Sequence, residues 1–331
     1  MINYRALIAA LYFIAGLAWA DLSPEQLTEK EKGLMLYQQY KGISAIEPLR
    51  VAAEAGDKTA QYYLGETLRR NSMYITAESR KWYEAAAAQG DLFAMLRLSD
   101  SSDLCDLFGT CTGRAEWREK VLDLAYARAE HGDTEAMRVL FHAGEGLVWL
   151  EKAAGAGDRD AQWLLAERYE AGEGWFLIPG NRKKTIDNLL RKTAEAGLPK
   201  GMQFYAGVLH EKGDLAGAFQ WRKKAAETGL IGGVYAYARD LLNEEGALDI
   251  SPDTVKSYAL FSLIARLQGG GGSPEYARWA LDDLRKKMSN TQLKEAEDLR
   301  LNGGTHTLLS LTFYQCTVTD AVGIFLVEVS T

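Results

Sequence analysis

The chain reads as an all-α solenoid built from a recurring helix pair. Three observations predict this: a Gly-centred phrase that returns along the chain, spacings between its copies that suit helix-pair repeats, and small and large residues at fixed offsets from each glycine. The phrase stands as "AAEAGDKTAQYYLGE" at 52–66 and returns as "AAAAQGDLFAM", "ARAEHGDTEAM" and "KAAGAGDRDAQ". With the glycine of each copy as marker, the series is Gly56, Gly90, Gly132, Gly157, Gly197, Gly229 and, more loosely, Gly269. The intervals are 34, 42, 25, 40, 32 and 40 residues, a range typical of solenoids of stacked helix pairs.

The offsets give each copy a packing logic. Three residues before the first six glycines stand Ala53, Ala87, Ala129, Ala154, Ala194 and Ala226. Four after them come Ala60, Ala94, Ala136, Ala161, Gly201 and Gly233, and eight after them Leu64, Leu98, Leu140, Leu165, Tyr205 and Tyr237. Small residues let two helices cross closely, and the large one fills the space between copies. Positions four and eight share one helical face. The glycine itself reads as a helix stop in the left-handed conformation. Asp57, Asp91, Asp133 and Asp158 follow as caps of the next helix, worth about 1 kcal/mol each. Leu198 and Leu230 replace the acid in two copies, where Pro199 suits a first helical turn. A reactive loop would not recur six times and lose its acid twice, so the Gly-Asp pair is read as a structural turn.

The N-terminus reads as an export signal. Met1 to Arg5 carries one positive charge, Ala6 to Ala18 is apolar, and Ala18-Trp19-Ala20 supplies a small-x-small cleavage pattern before Asp21. The stretch is short for a membrane span, and no cysteine follows the cleavage site to carry a lipid. The expected division is therefore a signal peptide at 1–20, a repeat array at 21–300 and a separate tail at 301–331. Cleavage removes one Arg and no acid, moving the formal charge from −7 to −8. A mildly acidic chain without a basic block argues against nucleic acid as a partner. An exported location also makes Cys105 and Cys111 the natural disulfide pair across "CDLFGTC", leaving Cys316 as a free thiol.

The repeat phrases resemble the Sel1-like repeat family, relatives of the tetratricopeptide repeats. The resemblance rests on "AQYYLGETL" followed by "ESRKWYEAAAAQG", with degenerate copies in "VWLEKAAGAG" and "FQWRKKAAETG", and on "KSYALFSLIARLQGG" as a closing segment. It covers about residues 30 to 300. It implies a right-handed αα-superhelix of six to seven repeats, and it is specific for fold rather than for function. The chain departs from the family pattern at 100–150, through the Cys-containing insertion and the short third interval, and at 172–186, through "GWFLIPGNRKKT". Such insertions are partner contacts or neutral surface.

The tail, "THTLLSLTFYQCTVTDAVGIFLVEVST", is β-forming in character. It suits a hairpin, a cover for the last helix or an altered terminus, and polar interruptions argue against a membrane span.

A search for chemistry returns no catalytic, metal or cofactor motif. His131, His142, His210 and His306 are scattered, and no H-E-x-x-H, C-x-x-C, G-x-S-x-G or P-loop occurs. The expectation is a non-catalytic protein without a cofactor. By resemblance to tetratricopeptide arrays, the first helix of each pair lines a concave groove, with exposed positions three, six, ten and thirteen residues after each marker glycine. These candidates for partner contact are Tyr62, Glu66, Arg69, Arg138, His142, Trp163, Glu167, Gln203, His210, Tyr235 and Arg239. Tyr, Trp and Arg are the residue types that anchor interfaces. The resemblance implies a periplasmic scaffold, in its sharpest form an immunity protein neutralising a type VI secretion effector such as a phospholipase. The alternatives are a regulatory adaptor of an envelope sensor or secretion system and, from another class, a weak peptidoglycan or β-lactam hydrolase.

Overall fold

The computed structural model of the chain describes residues 22–38, 41–101, 103–244, 246, 248–267 and 272–301. The expected signal segment, the β-forming tail, Gly269, His306 and Cys316 lie outside the described residues. Within them, the chain forms α-helices α1 (Pro24–Gln38), α2 (Gly42–Glu54), α3 (Lys58–Ser72), α4 (Ala77–Ala88) and α5 (Leu92–Leu98). A 3₁₀ turn (Leu104–Phe108) follows, then α6 (Arg114–Glu130), α7 (Thr134–His142), α8 (Leu147–Gly155), α9 (Arg159–Glu170) and α10 (Asn181–Glu195). The array closes with α11 (Pro199–Glu211), α12 (Leu215–Glu227), α13 (Ile231–Asp240), α14 (Thr254–Ala265), α15 (Ser273–Lys287) and α16 (Asn290–Leu301). Each of α1 to α15 packs on the next helix in sequence, except that α15 and α16 both pack on α14. This is the all-α array of antiparallel helix pairs that the repeat predicts.

The marker glycines do what their sequence context requires. All six, from Gly56 to Gly229, have φ between 79° and 94°, a region that a Cβ disfavours. In the Asp-containing copies the turn closes by a bond from the Asp N–H back to the preceding helix, as from Asp57 to Ala52 O (3.1 Å) and from Asp158 to Ala153 O (3.1 Å). The carboxylates of Asp57, Asp91, Asp133 and Asp158 accept from the N–H of Ala60, Ala94, Ala136 and Ala161. The small residue four after the glycine is thus both the capped donor and a fully buried contact point. Leu198 and Leu230 cap nothing with their side chains, and Pro199 opens α11.

Successive turns share one edge of the array and are stitched together along it. Gln89 donates to Gly56 O (2.9 Å), and Arg128 donates to Gly90 O (3.3 Å). Because neighbouring helices are antiparallel, the longer connections fall on the opposite edge, where Tyr74 stacks on Phe108 at 4.0 Å. Both sequence insertions lie there. The first carries the 3₁₀ turn and the Cys105–Cys111 disulfide, with Cα atoms 5.2 Å apart. The second, 171–180, exposes Trp175, Leu177 and Ile178. Arg182 holds that loop by donating to the carbonyls of Tyr169, Glu173 and Gly174. The short third interval has a simple origin: α7 and α8 are nine residues each.

Buried apolar side chains form one cluster running from α1 to α11 and a second from α12 to α16. Helix crossings are closest where the small residue is glycine. At Gly233 an added Cβ would stand 2.8 Å from the backbone carbon of Ala225.

Candidate protein-binding groove

The first helices of the pairs are α3, α5, α7, α9, α11 and α13, and they carry all eleven groove candidates. In the N-terminal half the expected exposure is not found. Tyr62 is 6% exposed, Glu66 0%, Arg138 5% and Trp163 5%. Arg69 is largely buried, and His142 is partly exposed with its Nδ1 buried. Side chains of successive first helices interlock there, Glu66 with Arg97 and Phe93 with Arg138, so the side expected to face a groove faces a neighbouring helix.

What those residues form is an aromatic and ionic seam. Tyr62 packs against Tyr63 with ring centroids 5.1 Å apart and against Phe93 at 6.5 Å. Phe93 also lies under the Arg138 guanidinium (5.5 Å) and beside the His142 ring (6.0 Å). Arg138 in turn pairs with the capping Asp158 at 3.3 Å. Glu66 accepts from Tyr83 O–H (2.7 Å) and Arg97 Nε (2.6 Å), and Arg69 bridges it at 3.7 Å to Asp103, also at 3.7 Å. Burial opposes the Glu66 charge, but Arg97, Arg69 and the Tyr83 hydrogen bond outweigh it and hold the carboxyl below its ordinary range. Burial, reinforced by Arg138, Arg97 and Arg168, pushes His142 down to about 3.

The C-terminal half is open, and here the remaining candidates come together. One cavity of about 350 Å³ lies among α9, α10 and α11, lined by Trp163, Glu167, Ile186, Gln203 and Phe204 among others. A second of about 590 Å³ lies between α11 and α13, with Gln203, His210, Tyr235 and Arg239 in its wall. The two share Gln203 and Gly207, so they form one groove across α11.

Gly207 explains the opening. Ten residues after the marker glycine, the other five copies place Glu66, Asp100, His142, Glu167 and Arg239. The fifth places Gly207, where an added Cβ would meet no atom within 4 Å. A missing side chain thus joins the two cavities. Gly207 offers no side chain by which the register could mark it, and Phe204 lies one position off the expected register.

The groove is polarised. The first cavity carries four carboxylates, Glu167, Glu170, Asp187 and Glu211, of which Glu211 pairs with Lys183 at 3.0 Å and Asp187 with Lys212 at 2.6 Å. Its apolar wall includes Trp163 and Phe204 in edge contact at 4.7 Å. The indole Nε1 of Trp163 and Oε2 of Glu167 are buried without a hydrogen-bond partner. Burial raises the Glu167 carboxyl, against the lowering fields of Lys200 and Arg168 and the neighbouring Trp163 indole. The second cavity is mixed, with Arg222 paired to Asp240 at 2.8 Å. Asp240 is also raised by burial, against the field of Arg222.

Other expected features fall elsewhere. His131 sits at its turn with Nδ1 2.8 Å from Ala127 O. Among the described residues, Asp103, Cys105 and Cys111 make the one cluster of metal-ligating types, and both sulfurs belong to the disulfide. Among the described residues no helix is long and apolar enough to cross a membrane.

No family model matches the sequence, and no curated protein is similar to it. Ten chains among the solved structures are similar to it, and two of these illustrate the match. One is the protective antigen c5321 of uropathogenic Escherichia coli strains, displaying an SLR fold. It is 20% identical with a TM-score of 0.49, over 88% of this chain and 63% of that one. The other is a Sel1 repeat protein from Oxalobacter formigenes, 21% identical with a TM-score of 0.41, over 86% of this chain and 92% of that one. This chain thus spans less than two thirds of the length of the first. Both names denote the repeat that the sequence phrases resemble.

Proposed function

We propose that this protein is a non-catalytic scaffold whose groove across α11 holds a segment of another protein. The observation that carries this reading is the continuity of the two cavities through Gln203 and Gly207. A groove lined by Trp163, Phe204, Tyr235 and Arg239 offers the aromatic and guanidinium anchors on which protein interfaces rely. Of the carboxyls raised by burial, Asp91 caps α5 while Glu167 and Asp240 line different ends of the groove, which favours a binding surface over an acid-base pair. The exported, toxin-neutralising version of this role is the finer form of the proposal, and its partner would be an imported effector.

The test fills the groove without touching the core. Gly207→Trp places a large side chain where the backbone faces open space. A partner retained by the wild-type chain should be released by Gly207→Trp while the two proteins melt alike. Equal retention by both would refute the groove.

A further inference from the structure

We infer that the cavity among α9, α10 and α11 receives a lysine or arginine side chain of the partner, its aliphatic stem lying along Trp163 and Phe204 and its charged head among the carboxylates. The inference rests on the groove reading and adds the chemistry of what enters it. Three independent features meet there.

The first is charge. Asp187 is paired with Lys212 at 2.6 Å and Glu211 with Lys183 at 3.0 Å, so the acidic excess of this cavity rests on Glu167 and Glu170, while the adjoining cavity balances Arg222 and Arg239 with Asp240 and Glu244. The excess is therefore local to one end of the groove. The second is shape and polarity. Ile186, Leu190, Phe204 and Val208 provide an apolar wall, and long cationic side chains bury their methylene stems on such walls while the head stays polar. Phe204 is 51% exposed, leaving aromatic surface uncovered, to which a cation is attracted. The third is a poorly satisfied polar pair. The buried Nε1 of Trp163 and Oε2 of Glu167 lie one turn apart on α9 and make no hydrogen bond of good geometry, although the indole lowers the carboxyl as a neighbouring donor. A cationic head beside Glu167 supplies the counter-charge that its burial calls for. The burial that raises Glu167 is then offset by the incoming charge.

A neutral or acidic occupant fits less well. It would add no counter-charge to Glu167, whose carboxyl burial raises despite Lys200 and Arg168, and an acid would face the carboxylates.

The experiment uses the full chain and a phage-displayed peptide library. Peptides are selected on the wild-type chain and counter-selected on Gly207→Trp. Synthetic versions of the survivors are then titrated calorimetrically. Gly207→Ala and melting curves control for folding. The survivors should share a Lys or Arg whose replacement by Gln weakens binding at least tenfold. Glu167→Gln and Glu170→Gln should each weaken the cationic peptide severalfold and leave the Gln version unchanged. Glu170 is exposed, so its variant reports even if Glu167→Gln perturbs folding. Gly207-dependent peptides that tolerate loss of every cation would overturn this inference and leave the groove standing. Failure to select any peptide that Gly207→Trp rejects would overturn the groove reading, and this inference with it.

Discussion

Arg97 donates from Nε to Glu66 Oε1 across 2.6 Å, inside a helix seam where the Glu66 side chain has no exposed surface. Position 66 falls ten residues after its marker glycine, the same register that opens the groove at Gly207. One register therefore does two jobs, locking the N-terminal pairs together and leaving a gap between the C-terminal ones.

Removing that lock should be costly. Glu66→Ala leaves Arg97 without its buried counter-charge, and the unfolding free energy should fall by about 3–5 kcal/mol in urea titrations. The pH dependence has a definite sign. Because the folded carboxyl lies below its ordinary range, its stabilisation is complete above the ordinary glutamate value of about 4.3. It is lost as pH falls through the lower folded value. A variant as stable as the parent would show that the pair only replaces an equivalent apolar contact.

His142 predicts a second acid limb with a different window. Unfolded histidine takes up its proton near 6.5, whereas the folded ring resists until about 3. The contribution is thus fully present above about 6.5 and declines as pH falls toward 3, by up to about 1.4 kcal/mol per pH unit. Melting temperatures measured from pH 7.5 to 5.5 should fall for the wild type. His142→Phe, which keeps an aromatic beside Phe93 and Phe141, should flatten that slope.

Two glycine-to-alanine changes should act in opposite directions. Gly207 is helical and faces open space, so Gly207→Ala should raise stability by about 0.5–1 kcal/mol through helix propensity. Gly233 meets Ala225 backbone within 2.8 Å of an added Cβ, so Gly233→Ala should lower it by about 1–3 kcal/mol. Chemical denaturation of the pair under one condition checks both signs.

The disulfide should contribute modestly. Cys105 and Cys111 are separated by six positions, and so small a ring corresponds to roughly 2 kcal/mol on the chain-entropy scale. Reductant should lower the wild-type unfolding free energy by that amount and leave the Cys105→Ser, Cys111→Ser double variant unmoved. The groove lies on other helices, so peptide binding should survive reduction.

Much of this architecture was legible because its determinants are local. A left-handed glycine, an Asp accepting from the N–H three residues on, and small residues spaced along one helical face all act within a turn or two of chain. Hence Gly56-Asp57 could be read as a helix stop and cap, and Ala60, Ala94, Ala136 and Ala161 as buried crossings. The disulfide pair was legible for the same reason. The groove was not. Tyr62, Glu66 and Arg138 stand at the register expected to line it, yet they are buried.

The sequence by itself determined the repeat, its turns, its caps and the face each helix turns toward its partner. These follow from backbone conformation and periodicity, which short stretches of chain already contain. Only the tertiary structure decided where side chains of successive first helices close the space between them and where they leave a groove. That choice depends on how side chains from different copies fill the space between helices. In the first pairs Tyr62, Phe93 and Arg138 fill it; at Gly207 nothing does.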